Sequence, residues 1–274
     1  MNQQTNKDQS KTSFSAPELS RPLQQAIHIA ILILVFYFAP MNAYSSVDVI
    51  FNSTQEPTLQ ASRNQLIDND LESLIEDFAN DTFALTSRIE IVFGEGDGPV
   101  YDPNENRIYL PYDFVADVTK RFKHDNYEET GVTIEQATQD AIIHTIFHEL
   151  AHALIANFDL AITGKEEDAA DELAGVLLIE HFEHGQEIAL SAADLFDLES
   201  GDKESLEEVD FWGEHSLDSQ RFYNTICLIY GSAPEQYAHL LDLLDISQDR
   251  GDLCIEDYGR AVRSWHTILA PYLK

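Results

Sequence analysis

Apolar positions form one continuous block near the start of the chain and periodic patterns after it. Residues 29–39 are an unbroken apolar run closed by Pro40. Residues 46–65 are polar, without a sustained period, and are expected to be a linker. Beyond them Leu71, Leu74, Ile75 and Phe78 recur at helical spacing, with Asp70 near the start of the predicted helix. Residues 88–93 alternate as a strand does, placing Ile89, Ile91 and Phe93 on one side. A cluster of turn formers at 94–99 precedes a second extended stretch at 107–112. Thr133 opens a long helix to about residue 156, with Gln136 placed to close a capping box. From Lys165 a further helix runs through Ala169, Ala170, Leu173, Ala174, Leu177 and Leu178. Helical patterns also occupy 219–230, 234–244 and 256–269. A helix, a small mixed or antiparallel sheet and then mostly helices make an α+β plan, since strands and helices do not alternate as βαβ units.

The totals sharpen this picture. The 274 residues, 44% of them apolar, suffice for one packed domain, expected over 66–274, and a leader over 1–45. A formal charge of −33, from 16 basic and 49 acidic residues, repels phosphate backbones and excludes nucleic acid as a partner. The bland meaning of that charge is a solvated surface, and no function is built on it. Lys7, Lys11 and Arg21 before the apolar run, with Ala43-Tyr44-Ser45 after it, have the layout of a secretory signal. Taken as 23–43 the same segment reaches the length of a retained membrane anchor, so both readings stand. Either one makes the protein exported, periplasmic or extracellular, with membrane contact only through this segment. In such an oxidising compartment the two cysteines, Cys227 and Cys254, are expected to pair.

The chemistry concentrates in His148-Glu149-Leu150-Ala151-His152, inside the capped helix. Residues four apart on a helix face the same way, so both imidazoles can reach one cation, with Glu149 as the general base. Two histidines alone are more often satisfied structural residues; Glu149 and the apolar helix around them reverse that balance. A catalytic zinc takes three protein ligands and a water, so a third donor is required. A histidine six residues past His152 is ruled out, because Phe158 stands there and Ile155 replaces the glycine that layout needs. The acidic run 166–172 on the next helix offers carboxylates instead. By itself it would be a solvated helix start, but Glu167 and Asp171 are four apart. One can ligate while the other accepts the free ring N–H of a ligating histidine. Glu167 is the favoured ligand and Glu166 the alternative. Small Ala170 and Ala174 let the two helices approach.

Residues 147–154, then 164–171, with Glu214-His215-Ser216-Leu217-Asp218, Gln220-Arg221-Phe222-Tyr223-Asn224, Cys227 and Tyr230-Gly231-Ser232, resemble a bacterial family described as metallopeptidases. The likeness spans roughly 66–274. That family usually has Gly where this chain has Ala151, a small-for-small change. The resemblance implies a zincin-type fold and a peptidase, without a substrate.

The expected function is therefore hydrolysis of a peptide bond in a peptide or protein, with one Zn²⁺ per chain held by His148, His152 and Glu167. His215 is nominated to stabilise the oxyanion, with Tyr223 a weaker candidate; as a bland alternative His215 is a loop residue bonded to backbone. His144 is read as structural. The rival reading is an exported or anchored interaction protein that keeps zinc in a structural site.

Overall fold

The computed structural model describes residues 47–202 and 205–274. The expected leader or anchor at 1–45 lies outside the described residues. Among the described residues no helix is long and apolar enough to cross a membrane.

The alternating stretch predicted at 88–93 forms β2 (Ile89–Phe93), with Ile89, Ile91 and Phe93 fully buried. It pairs in parallel with β1 (Val47–Phe51) on one side and with β4 (Arg107–Leu110) on the other. The short β3 (Val100–Asp102) runs antiparallel to β4 and closes the order β1-β2-β4-β3. The sheet is thus mixed, and β3 is an edge strand.

Residues 47–65, the described part of the expected linker, are structured instead. They hold β1 and most of α1 (Pro57–Asp68). The cause is non-local. The outer edge of β1 is satisfied by side chains of α2 (Leu71–Thr82). The Val47 N–H donates to Asn80 Oδ1 at 2.9 Å and the Val49 N–H to Glu76 Oε1 at 2.7 Å. Side chains that occupy an exposed ladder also block further strand addition there.

After the sheet come α3 (Tyr112–His124) and α4 (Ile134–Phe158). Thr133 caps α4 by accepting from the Gln136 N–H at 3.1 Å. The reciprocal arm of the expected capping box is absent, because the Gln136 side chain donates to Asp140 instead, at 2.7 Å. Almost every face of α4 is buried, including the fully enclosed Phe147, Leu150, Ala151 and Leu154. A helix so enclosed is a rigid base for a site, since close-packed interiors yield little.

Then follow α5 (Glu166–His181), α6 (Gly185–Ser200), α7 (Asp218–Ser232), α8 (His239–Leu243) and α9 (Gln248–Leu269). Ala170 and Ala174 of α5 are fully buried, so small side chains stand where this helix meets its neighbours. The helix expected at 256–269 begins earlier than its period suggested, because Ser247 caps α9 at Gln248. The helical pattern at 234–244 is reduced to α8. The disulfide Cys227–Cys254 ties α7 to α9, as expected. The fold is α+β.

The helices α7 and α9 meet at Gly231, where an added Cβ would lie 2.3 Å from the Cys254 carbonyl oxygen. Gly231→Ala must push them apart, an overpacking that costs about 1–3 kcal/mol. Urea unfolding should show a midpoint lowered accordingly; an unchanged midpoint contradicts this account of the contact.

Candidate metal centre

His148 and His152 stand one turn apart on α4, with exposures of 5% for His148 and 7% for the neighbouring Glu149. Their rings meet edge to face at 4.8 Å between centroids. His148 Nε2 lies 3.2 Å from His152 Nε2. Glu167 Oε2, reaching over from the first turn of α5, is 3.1 Å from the first nitrogen and 3.3 Å from the second. The two rings and one carboxylate therefore converge on a single point.

The opposite ring nitrogens are also fixed. His148 Nδ1 is 2.7 Å from Asp171 Oδ1, and His152 Nδ1 is 2.9 Å from Glu166 Oε1. An ionised carboxylate only accepts, so each Nδ1 carries a proton, and a ring that gives up its Nε2 proton to a metal ion offers that lone pair to the shared point. Of the two carboxylates considered for the third position, Glu167 joins both rings and Glu166 orients His152. Asp171 takes the orienting place expected for it.

Asp171 is held by Arg221 of α7. The guanidinium makes two hydrogen bonds, Nε to Oδ2 at 2.7 Å and Nη2 to Oδ1 at 2.8 Å. Its Cζ also sits 3.9 Å from the Phe196 ring centre. Burial disfavours the Asp171 carboxylate, but Arg221 and His148 override it and hold its pKa well below the usual range. Burial likewise opposes a charged His148, yet Asp171 and Glu167 carry its pKa up to about 9. Glu167, despite desolvation, is held far below the carboxylate range by His148, His152 and His215. The electrostatics of the cluster thus call for positive charge at its centre.

This donor set fits a divalent metal ion. For bonds of about 2.0–2.1 Å, tetrahedral donors stand about 3.3–3.4 Å apart, close to the separations seen. Nitrogen and carboxylate oxygen donors suit zinc and other first-row ions alike.

Glu149 points into the cleft beside the cluster. Burial raises its pKa, partly countered by the two histidines and by a hydrogen bond from the Tyr101 backbone N–H of β3. His215 lies on the loop before α7, with Nε2 2.9 Å from Glu167 Oε2. Lys165 straps this loop down by donating to the carbonyls of Gly213 and His215 at 3.1 and 3.2 Å. These side chains border a cleft of about 800 Å³. Tyr223 is half exposed and is not among the residues lining it. His144 is buried and takes no part in the cluster.

Arg221 receives no role from the sequence, and Glu166 enters there only as the alternative third ligand, not as the partner of His152. A signal existed for Arg221: a buried carboxylate needs a partner cation, and the chain has only 16 basic residues to supply one.

Fold and site together define a candidate metal centre built on a buried helix. A family model described as "Putative metallopeptidase" matches residues 51–269, and the chain belongs to that family. No curated protein and no solved structure matches the chain.

Removing Arg221 alone leaves Asp171 charged in a poorly solvated place, a loss of about 3–5 kcal/mol for breaking such a pair from one side. Urea unfolding of metal-free Arg221→Met should show it, and adding Asp171→Asn should restore part of it. A variant as stable as the parent contradicts the pairing.

Proposed function

We propose that the protein is an exported zinc-dependent metallopeptidase of the zincin type. His148, His152 and Glu167 would hold the ion, and Glu149 would act as general base. The observation that carries this reading is the triangle of His148 Nε2, His152 Nε2 and Glu167 Oε2, with sides of 3.1–3.3 Å, next to Glu149 on the same helix.

When bound, the ion supplies a Lewis acid that polarises a peptide carbonyl and brings the pKa of a water toward neutrality. The protein's own groups handle the protons. Glu149 takes one from the attacking water and returns it to the leaving amine. His215 is placed to donate to the carbonyl oxygen as charge develops on it. Asp171 and Arg221 keep His148 in the tautomer that a ligand needs.

Strands β2 and β4 lie inside the sheet, and the edge beside the cleft is β3. An extended peptide can add to it through main-chain hydrogen bonds. Export is supported by the Cys227–Cys254 disulfide, which suits an oxidising compartment.

One observation favours a second reading. If His215, already 2.9 Å from Glu167, turned onto the ion, four protein ligands would close the site, the pattern of structural zinc. The protein would then be a non-catalytic exported or membrane-anchored interaction module. The His215 side chain is 52% exposed and stands outside the three-residue cluster, which favours catalysis.

Metal analysis and digestion of an unbiased peptide mixture test the proposal together. The parent should carry one zinc per chain and cut peptides. Glu149→Gln should keep the zinc and lose about 10²–10⁴-fold in rate. A zinc-loaded parent that cuts nothing contradicts the peptidase reading. His215→Ala separates the two readings: an oxyanion donor loses rate and keeps the metal, whereas a fourth ligand loses the metal. Glu167→Ala should lose most of the bound zinc, while Glu166→Ala should retain the ion with weaker affinity, as expected for an orienting group.

A further inference from the structure

The loop between α6 and α7 exposes an unusual run of large apolar side chains. Leu206 is 51% exposed, Val209 52%, Phe211 65% and Trp212 72%. Single exposed apolar residues need no explanation, but four within seven residues of one loop, one of them lining the cleft, point to a binding surface. The loop borders two hollows: Trp212 lines the large cleft, and Leu206, Val209 and Leu217 are among the residues lining a second of about 440 Å³. It is anchored at its end by the Lys165 strap and by His215 on Glu167.

Trp212 forms one wall of the large cleft. Pro99, Val100 and Pro103, on and around the edge strand β3, with Ala156 of α4, form an apolar wall of the same cleft. Val100 is itself 48% exposed. The polar part of the lining is acidic: Glu149, Glu166, Glu167 and Glu214 outnumber Lys165. The Lys165 ammonium is engaged by two backbone carbonyls, so it serves the loop and is poorly placed to receive an anion.

We infer that the cleft selects an extended peptide carrying a bulky apolar side chain next to the scissile bond, and that Trp212 is the residue that sets this preference. The inference rests on the metallopeptidase reading and names its substrate class. A large side chain held between the indole and the β3 wall removes apolar surface of both partners from water. An acidic side chain in the same place meets the carboxylates of the lining and is rejected by charge as well as by lost contact.

The test uses the zinc-loaded full chain and three capped tripeptide hydroxamates that differ in one side chain: Phe, Gly or Asp. The hydroxamate anchors each probe at the metal, so calorimetric affinities compare the side chains directly. The Phe probe should bind at least about tenfold more tightly than the Gly and Asp probes. Trp212→Ala should bring the Phe probe down to the level of the Gly probe, and Trp212→Phe should keep the preference. Because Trp212 is so exposed, its removal leaves the core untouched. The other tryptophan, Trp265, is 4% exposed, so a blue shift of emission when the Phe probe binds reports Trp212. Equal affinities for the three probes, or a preference that survives Trp212→Ala, overturns this inference and leaves the metal site standing. If no probe binds, the metallopeptidase reading falls and this inference falls with it.

Discussion

Electron-rich atoms held close together in a poorly solvated place repel one another unless a cation lies between them. Two imidazole nitrogens and a carboxylate oxygen are held so in this protein, 3.1–3.3 Å apart. Most of the surrounding structure enforces that proximity. The helix carrying the imidazoles is buried on nearly every face, and Thr133 caps its start. Small residues at 170 and 174 lie buried on the helix that brings Glu167 across. Ring orientation is fixed from behind by Asp171 and Glu166, so neither histidine can turn its Nε2 away cheaply.

That arrangement depends on one of the few cations in a chain of formal charge −33. Arg221 compensates Asp171, and Asp171 orients His148. Arg221 sits on α7, whose place is set by the Cys227–Cys254 disulfide and by the close approach at Gly231. The C-terminal helices, remote in sequence from the histidine pair, therefore support the site, and the family match extending through them to residue 269 fits that dependence.

The parts legible in the sequence were those encoded within a few residues. Spacing gave α2, α4, α5 and β2, and it gave the histidine pair, because a helix fixes the relation of residues four apart. Glu167 and Asp171 followed from the same rule. Features set by partners far along the chain stayed hidden. Strand β1 exists through its pairing with the distant β2, with Asn80 and Glu76 satisfying its outer edge, so its segment reads as a linker. Strand β3 has three residues, too few for a period, and its pairing with β4 defines it. Helix α1 buries only Ser62 and Leu66, which leaves almost no apolar stripe. Helix α3 is a different case, since Tyr112, Val115, Val118 and Phe122 are helically spaced and buried. For Arg221 the sequence signals only that a buried carboxylate needs a cation, and nothing near it in sequence says which carboxylate it meets.

The central claim concerns one point in space, and anomalous diffraction at the zinc edge from crystals of the zinc-loaded protein addresses it directly. The account predicts one strong peak per chain, about 2.0–2.2 Å from His148 Nε2, His152 Nε2 and a Glu167 oxygen. A map without a peak there, or with the ion bound elsewhere, contradicts it.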